Sequence, residues 1–328
     1  MTEEIPIMRW DDWPQHPTWK TERQHGQEGL IPGGDPVARV WYGNKYMKRR
    51  GEPGHYILLF DTTLATPKVI TPEKQAAMEK AAATALANRT CPVCGKERSY
   101  KIQTSDKYGV KLCTACHDDQ DEITRAREWL AGDCVILDTE TSGLDYGARV
   151  LSISVIDMHG NILLNTYIKH DEPINEALTE MGEDWYGNEV EKPTAFSING
   201  IGNETVKDAP GFPAMWAALL PIIEGKTVLC YNVEFDANRL NENRNHYNLP
   251  DWKHVNWRCV MEWYAMYHGE YDERHGSYRW VRLTRAVQDQ GATVENAHDA
   301  HGDCQLTLAL IKAIAAKKAP LDELTANK

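Results

Sequence analysis

At 328 residues, with 42% hydrophobic and 26% charged residues, the chain is long enough for one catalytic-size core and a smaller one. No stretch approaches the ~18 apolar residues of a membrane span, and the acidic start Met-Thr-Glu-Glu is followed by no apolar run, so a cytoplasmic, reducing setting is expected. The net charge of −12 argues at first sight against a nucleic-acid ligand, yet residues 1–130 hold 19 Lys/Arg against 18 Asp/Glu while residues 131–328 hold 17 against 30.

The first 85 residues are rich in Trp and Pro. Val37–Tyr42 and His55–Phe60 are β-favouring runs joined by Gly43 to Gly51, which predicts a hairpin whose tip carries Lys45, Lys48, Arg49 and Arg50. A solvated loop is the plain reading of such a tip. Tyr42 and Tyr46 interleave with the cations, a combination that suits phosphate contact with stacking, so the four are candidate substrate contacts. Thr71-Pro72-Glu73 has the cap, proline and acidic first turn that open a helix, here through about Ala87.

Cys91-Pro-Val-Cys94 and Cys113-Thr-Ala-Cys116 are two CxxC knuckles separated by 18 residues. A tetrahedral Zn²⁺ needs two short chelating loops brought together, and four thiolates leave no open position, so one structural zinc is expected on Cys91, Cys94, Cys113 and Cys116. Gly95 frees the turn after the first knuckle, and Tyr100–Gln103 and Lys111–Leu112 around Tyr108-Gly109 predict two strands and a turn. Cys134, Cys230, Cys259 and Cys304 lie in or beside apolar segments and are expected to be small buried hydrophobes.

From about Leu130 strands and helices alternate. Cys134–Leu137, Val150–Ile156, Ile162–Ile168 and Val228–Tyr231 are strand-like, and helices are expected near 213–223, 236–247, 259–267, 281–288 and 300–317. The predicted organisation is an N-terminal module over 1–88, a zinc ribbon over 89–125 and an α/β domain over 130–320.

The first of these strands ends in Asp138-Thr139-Glu140, the fourth is followed by Asn232-Val233-Glu234-Phe235-Asp236, and His298 precedes a helix with Asp303 in its early turns. Ligands of open α/β sheets gather at the carboxyl ends of strands. Four carboxylates converging there repel unless cations separate them, and hard oxygen donors suit Mg²⁺ or Mn²⁺. Two such ions form a clamp for in-line attack on a phosphodiester, with a neutral His at the edge to take a proton. Hydrolysis of nucleic acid is the chemistry that fits. His301, two residues from Asp303, competes with His298 as base, whereas Asp145, Asp157 and Asp299 read as surface or capping acids.

Asp138-x-Glu140, Asn232-x-x-Phe235-Asp236 and His298-x4-Asp303 resemble the three motifs of the DEDDh 3'-to-5' exonucleases, the family of the DNA polymerase III proofreading subunit, over residues 132–318. Ser197-Ile198-Asn199-Gly200-Ile201 and Val206 to Pro210 resemble a loop of the same family. The resemblance implies an RNase H-like mixed five-stranded sheet flanked by helices, and two Mg²⁺ or Mn²⁺ held by Asp138, Glu140, Asp236 and Asp303. It also implies His298 as general base and a 3'-terminal nucleotide pocket lined by Thr141 and Leu144, with Asn232 and Phe235 as further substrate contacts. Two features depart from the pattern: Tyr231 stands where members often have His, and Met181–Thr194 looks like an insertion. Residues 18–117, with Glu22-Arg23-Gln24, Gly29 to Gly34 and the CxxC pair, resemble small actinobacterial zinc-binding proteins with an Arg-Arg-Gln-Arg-Leu motif, from which Thr21-Glu22-Arg23-Gln24 departs.

The expected function is therefore a metal-dependent 3'-to-5' exonuclease on single strands or duplex 3' ends, DNA favoured, with no membrane partner and the zinc module serving substrate or partner binding. The alternatives are an exoribonuclease trimming RNA and a non-catalytic zinc-containing adaptor that binds nucleic acid.

Overall fold

In the computed structural model, which describes residues 5–42, 54–184, 186–293 and 299–322, the chain divides into two units, Met1–Ala87 and Asn88–Lys328. In the first, β1 (Ile7–Met8), β2 (Trp19–Thr21), β3 (Ala38–Tyr42) and β4 (His55–Asp61) form one sheet in the order β1-β3-β4-β2. β3 and β4 pair antiparallel, as their alternating sequences predict. Ala38, Val40 and Leu59 point to one side and make a small core with Met8, Trp13 and Trp19 against it. The predicted hairpin tip, including Lys45, Tyr46, Lys48, Arg49 and Arg50, lies outside the described residues. The chain then enters α1 (Pro72–Arg89), whose opening is marked by the Lys74 N–H donating to Thr71 Oγ1 at 3.3 Å.

The second unit begins with the cysteine knuckles. Gly95 and Gly109 both take left-handed φ, +67° and +68°, at the two turns where the sequence places them. The strands expected at Tyr100–Gln103 and Lys111–Leu112 are not formed: the arms close through single bridges, Thr90 with Glu97 and Thr104 with Lys111. Arms this short are held by the cysteines and a small cluster around Ile102 and Leu112 in place of a ladder. The second knuckle opens α2 (Thr114–Ala131), with Cys113 as its N-cap residue.

Five strands follow as one sheet: β5 (Cys134–Thr141), β6 (Val150–Asp157), β7 (Ile162–Tyr167), then, after a separate hairpin of β8 (Thr179–Glu183) and β9 (Glu189–Pro193) and helix α3 (Phe212–Ile223), β10 (Thr227–Cys230) and, after α4 (Val233–His246), β11 (Asn256–Cys259). The order is β11-β10-β5-β6-β7, parallel from β11 to β5 and antiparallel from β5 to β7. Helices cover both faces. α2, α5 (Val260–His268), α6 (Leu283–Asp289) and α7 (Ala300–Ala315) pack on Ile136, Ile156 and Leu229, while α3 and α4 pack on Val135, Leu137 and Val228. Buried on both sides, β5 and β10 read as continuous apolar runs. This is the RNase H-like mixed five-stranded sheet that the motifs implied. Among the described residues no helix is long and apolar enough to cross a membrane.

Candidate active site

Strand alternation sends Asp138 and Glu140 to one face of β5 and Thr139 to the other, and the register slips just after Glu140. Asp299 caps α7 by accepting from the Gly302 N–H at 3.4 Å, which fixes Asp303 in the first turn on the side of Asp138 and Glu140. Carboxylate oxygens of Asp138, Glu140 and Asp303 all lie within 4.8 Å of one another. Asp236 comes from the first turn of α4 on the opposite face, only 3% exposed, and its Oδ1 accepts from the Thr139 N–H at 3.0 Å and the Thr139 hydroxyl at 2.7 Å. Three of the four predicted carboxylates therefore form one group, and the fourth is tethered beside it.

The charges are strained by their company. Burial, followed by the charges of Asp236, Asp303 and Glu140, pushes the Asp138 carboxyl well above the usual carboxylate range. Burial and the Asp303 charge raise Glu140 to about 7 against the opposing hydrogen bond of Asn199. Burial likewise lifts Asp236 to about 7, although both Thr139 donors oppose it. The oxygen donors of such a group are compatible with hard divalent ions, which would offset the charge.

A cavity of about 630 Å³ opens beside Glu140. Thr141, Leu144 and Phe235 are among the residues that line it: Thr141 is buried with its hydroxyl donating to the Gly143 carbonyl at 2.7 Å, whereas Leu144 is 80% exposed at the rim. Asn232 is exposed and contributes its carbonyl, which accepts from the Phe235 and Asp236 N–H groups at 3.0 and 3.3 Å and so starts α4. His298 lies outside the described residues. The competing base, His301, has its two ring nitrogens engaged, Nδ1 with Ser154 Oγ at 3.3 Å and Nε2 with Gln305 Nε2 at 2.9 Å. Asp157 holds the Asp157–Asn161 turn through the N–H groups of His159 and Asn161.

Three participants escape a motif-level reading. Thr139 stands inside the Asp-Thr-Glu motif yet acts on Asp236, 97 residues away. Asn199 donates to the Thr141 carbonyl at 3.1 Å and faces Glu140; its signal is the Ser197–Ile201 segment. The insertion folds as the β8–β9 hairpin and supplies one wall of the cavity through Glu180, Met181, Gly182, Glu183, Lys192 and Pro193.

The four knuckle sulphurs also lie within 4.8 Å of one another, with Cys91 to Cys116 and Cys94 to Cys113 each 3.9 Å apart. Arg98 Nη2 lies 3.1 Å from Cys113 Sγ. Burial pushes the Cys91 thiol up, but the N–H groups of Cys94, Cys113 and Val93 outweigh it and hold the thiol at about 6. Cys134, Cys230 and Cys304 are buried and Cys259 half-buried, as their apolar settings predicted.

The family model for exonucleases of the RNase T type matches residues 135–311, the sheet and helices that carry these groups. The chain belongs to this exonuclease family. It is an exonuclease, a hydrolase of phosphodiester bonds. The uncharacterized exonuclease CP81 of Escherichia phage 186 is 32% identical over 197 residues, covering 58% of this chain and 92% of the relative. DNA polymerase III subunit epsilon of Rickettsia prowazekii (strain Madrid E) is 34% identical over 111 residues, 33% of this chain and 42% of that protein. Among solved structures, Exonuclease X in complex with 5' overhanging duplex DNA aligns at 22% identity over 57% of this chain and 95% of that one, with a TM-score of 0.36.

Proposed function

We propose that this exonuclease removes nucleotides from DNA 3' ends, single-stranded or at duplex termini, with two Mg²⁺ or Mn²⁺ held by Asp138, Glu140, Asp236 and Asp303. The observation that carries the reading is the group of three carboxylates within 4.8 Å at the carboxyl end of a buried strand, of which Glu140 lines a cavity of about 630 Å³. When bound, the ions would supply the positive charge that stabilises the attacking and leaving oxygens of an in-line displacement. The rest falls to the chain. His298 takes the proton of the attacking water, and the engagement of both His301 nitrogens supports that assignment. Thr141, Leu144, Asn199 and Phe235 receive the terminal nucleotide, and Asn232 keeps Asp236 in place by starting α4. As the terminal phosphodiester is hydrolysed, the water oxygen bonds to phosphorus, the bond to the 3' oxygen of the preceding nucleotide breaks, and a mononucleotide leaves.

DNA is favoured because one relative is named as a DNA polymerase subunit. Zn²⁺ is assigned to Cys91, Cys94, Cys113 and Cys116: four thiolates at roughly 2.3 Å from an ion have edges near 3.8 Å, which the two 3.9 Å pairs match. The zinc segment, 89–125, serves to support the catalytic domain of 130–320, and the cations Lys45, Lys48, Arg49 and Arg50 of the 1–88 module serve as substrate grip. A reducing, cytoplasmic setting is the one that would keep the four knuckle thiolates available to a metal.

Asp138→Ala and Asp303→Asn are each expected to abolish mononucleotide release from a 3'-labelled oligonucleotide, at least 10³-fold, with Mg²⁺ present. Matched DNA and RNA strands, single and double, with and without chelator, check substrate and metal together. Full activity in either variant, or in chelator, overturns the proposal; faster release from RNA assigns the enzyme to RNA.

A further inference from the structure

In the N-terminal sheet, alternation that buries Ala38, Val40 and Leu59 turns Arg39, Trp41, Tyr56 and Leu58 to the other face. The register sets Arg39 opposite Leu58 and Trp41 opposite Tyr56, so the four are cross-strand neighbours. They stay open: Trp41 is 52% and Tyr56 43% exposed. Large rings on a sheet face usually seek a second layer, and two together in the open mark a ligand surface.

The rings are held in position. The Trp41 ring lies against the Gly54 backbone, where a Cβ would come within 2.4 Å of it, and meets Tyr56 edge-on with centroids 5.1 Å apart at 73°. The Arg39 guanidinium sits 4.9 Å from the centre of the Tyr56 ring, and its Nε is buried without a hydrogen bond. Lys20 shares this face with Arg39 but is paired with the Glu28 carboxylate, so Arg39 is the cation the strands leave for a ligand, and alternation along β1 to β4 turns none of the strands' own carboxylates to this side. The segment joining the two ring-bearing strands, residues 43–53, contains Lys45, Lys48, Arg49 and Arg50 against the single acid Glu52.

The geometry points to single-stranded nucleic acid as the occupant of this face, with unpaired bases stacked on Trp41 and Tyr56 and phosphates met by Arg39. Fixed aromatic faces with a cation beside them and no strand carboxylate facing them are what sequence-tolerant single-strand binding requires. A duplex keeps its base faces stacked inside and offers the rings nothing. This second site shares only its class of ligand with the catalytic reading and needs no catalysis.

The test uses the full chain carrying Asp138→Ala, so that the probe is not consumed, and follows a fluorescent oligothymidylate by anisotropy. Adding Trp41→Ala and Tyr56→Ala is expected to weaken binding about tenfold or more, while Trp41→Phe with Tyr56→Phe stays within about threefold. Arg39→Gln, which leaves the rings, is expected to flatten the dependence of log Kd on log salt by roughly 0.7. In the chain with Asp138 intact, the two alanine changes should leave hydrolysis of the p-nitrophenyl ester of thymidine 5'-phosphate unchanged, which also shows that the protein is folded. An unmodified enzyme that fails to cleave this ester counts against the catalytic reading and leaves the binding result standing. Unchanged oligothymidylate affinity in the alanine variant overturns the inference, as does an equal loss on a blunt duplex. A dimer that the alanine changes dissociate in sedimentation overturns it too, by giving the face to a second copy.

Discussion

Asp236 and Thr139 meet across 97 residues of chain, and the meeting decides how one carboxylate faces the others. The Thr139 N–H is fixed by the strand, but its hydroxyl is replaceable. Thr139→Val keeps the side-chain shape and removes one donor from a buried acceptor, with an expected cost of about 1–3 kcal/mol in urea unfolding and a roughly tenfold or greater fall in kcat at limiting Mg²⁺. Thr139→Ser should recover most of both. Activity that holds at every Mg²⁺ concentration would show that the tether does not orient Asp236. The candidate carboxylates themselves were legible, because acids at the end of a buried strand and in the first turns of helices are placed by local structure. The tether was not, since nothing near Thr139 in sequence indicates which distant acid its hydroxyl meets.

At the scale of elements, α2 shows why some segments hide. Its inner face includes Gln120 and Glu122 along with Cys116, Ile123, Ala126 and Trp129, so the apolar spacing that marks a helix is broken by polar residues. Glu122 is 6% exposed; burial, ahead of its neighbours' charges, raises its carboxyl, and Oε2 has no hydrogen bond although Arg125 lies 3.7 Å away. The folded state therefore binds the proton more tightly than the unfolded one, and this residue's contribution to stability falls as pH rises past its ordinary value of 4.5. Glu122→Gln should stabilise the fold by about 1 kcal/mol at pH 8 and by nothing measurable at pH 4. Urea unfolding at the two pH values checks it, and an equal gain at both would locate the effect outside this titration. β11 and the β8–β9 hairpin were missed for a different reason. Asn256-Trp-Arg-Cys259 is an edge strand covered on one side only, and the hairpin is almost wholly exposed, so neither carries the apolar run that revealed β5, β6 and β10.

For the whole molecule the net charge of −12 has a local meaning. The acids gather in the half that carries the candidate carboxylates and in the hairpin walling the cavity beside Glu140, which has Glu180, Glu183, Asp184, Glu189 and Glu191 against Lys192. Bound divalent cations offset part of this charge, and the near-neutral first half leaves room for a phosphate-binding surface there. The cysteine group reaches further than its size suggests. Cys91→Ser is expected to lose bound zinc in metal analysis and to lower Tm of the catalytic unit by roughly 5 °C or more. A zinc-free variant with an unshifted transition would make the metal dispensable to the sheet.

Cys113 caps α2, the far end of α2 is anchored by Trp129 in the same core as Ile136, and two residues later the chain enters the strand of Asp138. Near that end, Arg127 ties the helix to the carbonyls of Ala315 and Lys317. Should the thiolate cluster lose its metal, this segment is expected to loosen, and trypsin cuts after Arg125 and Arg127 would each sever the strand of Asp138 from the chain before it. Chains synthesised under zinc shortage should be cleared by proteolysis instead of accumulating as an intact, inactive pool.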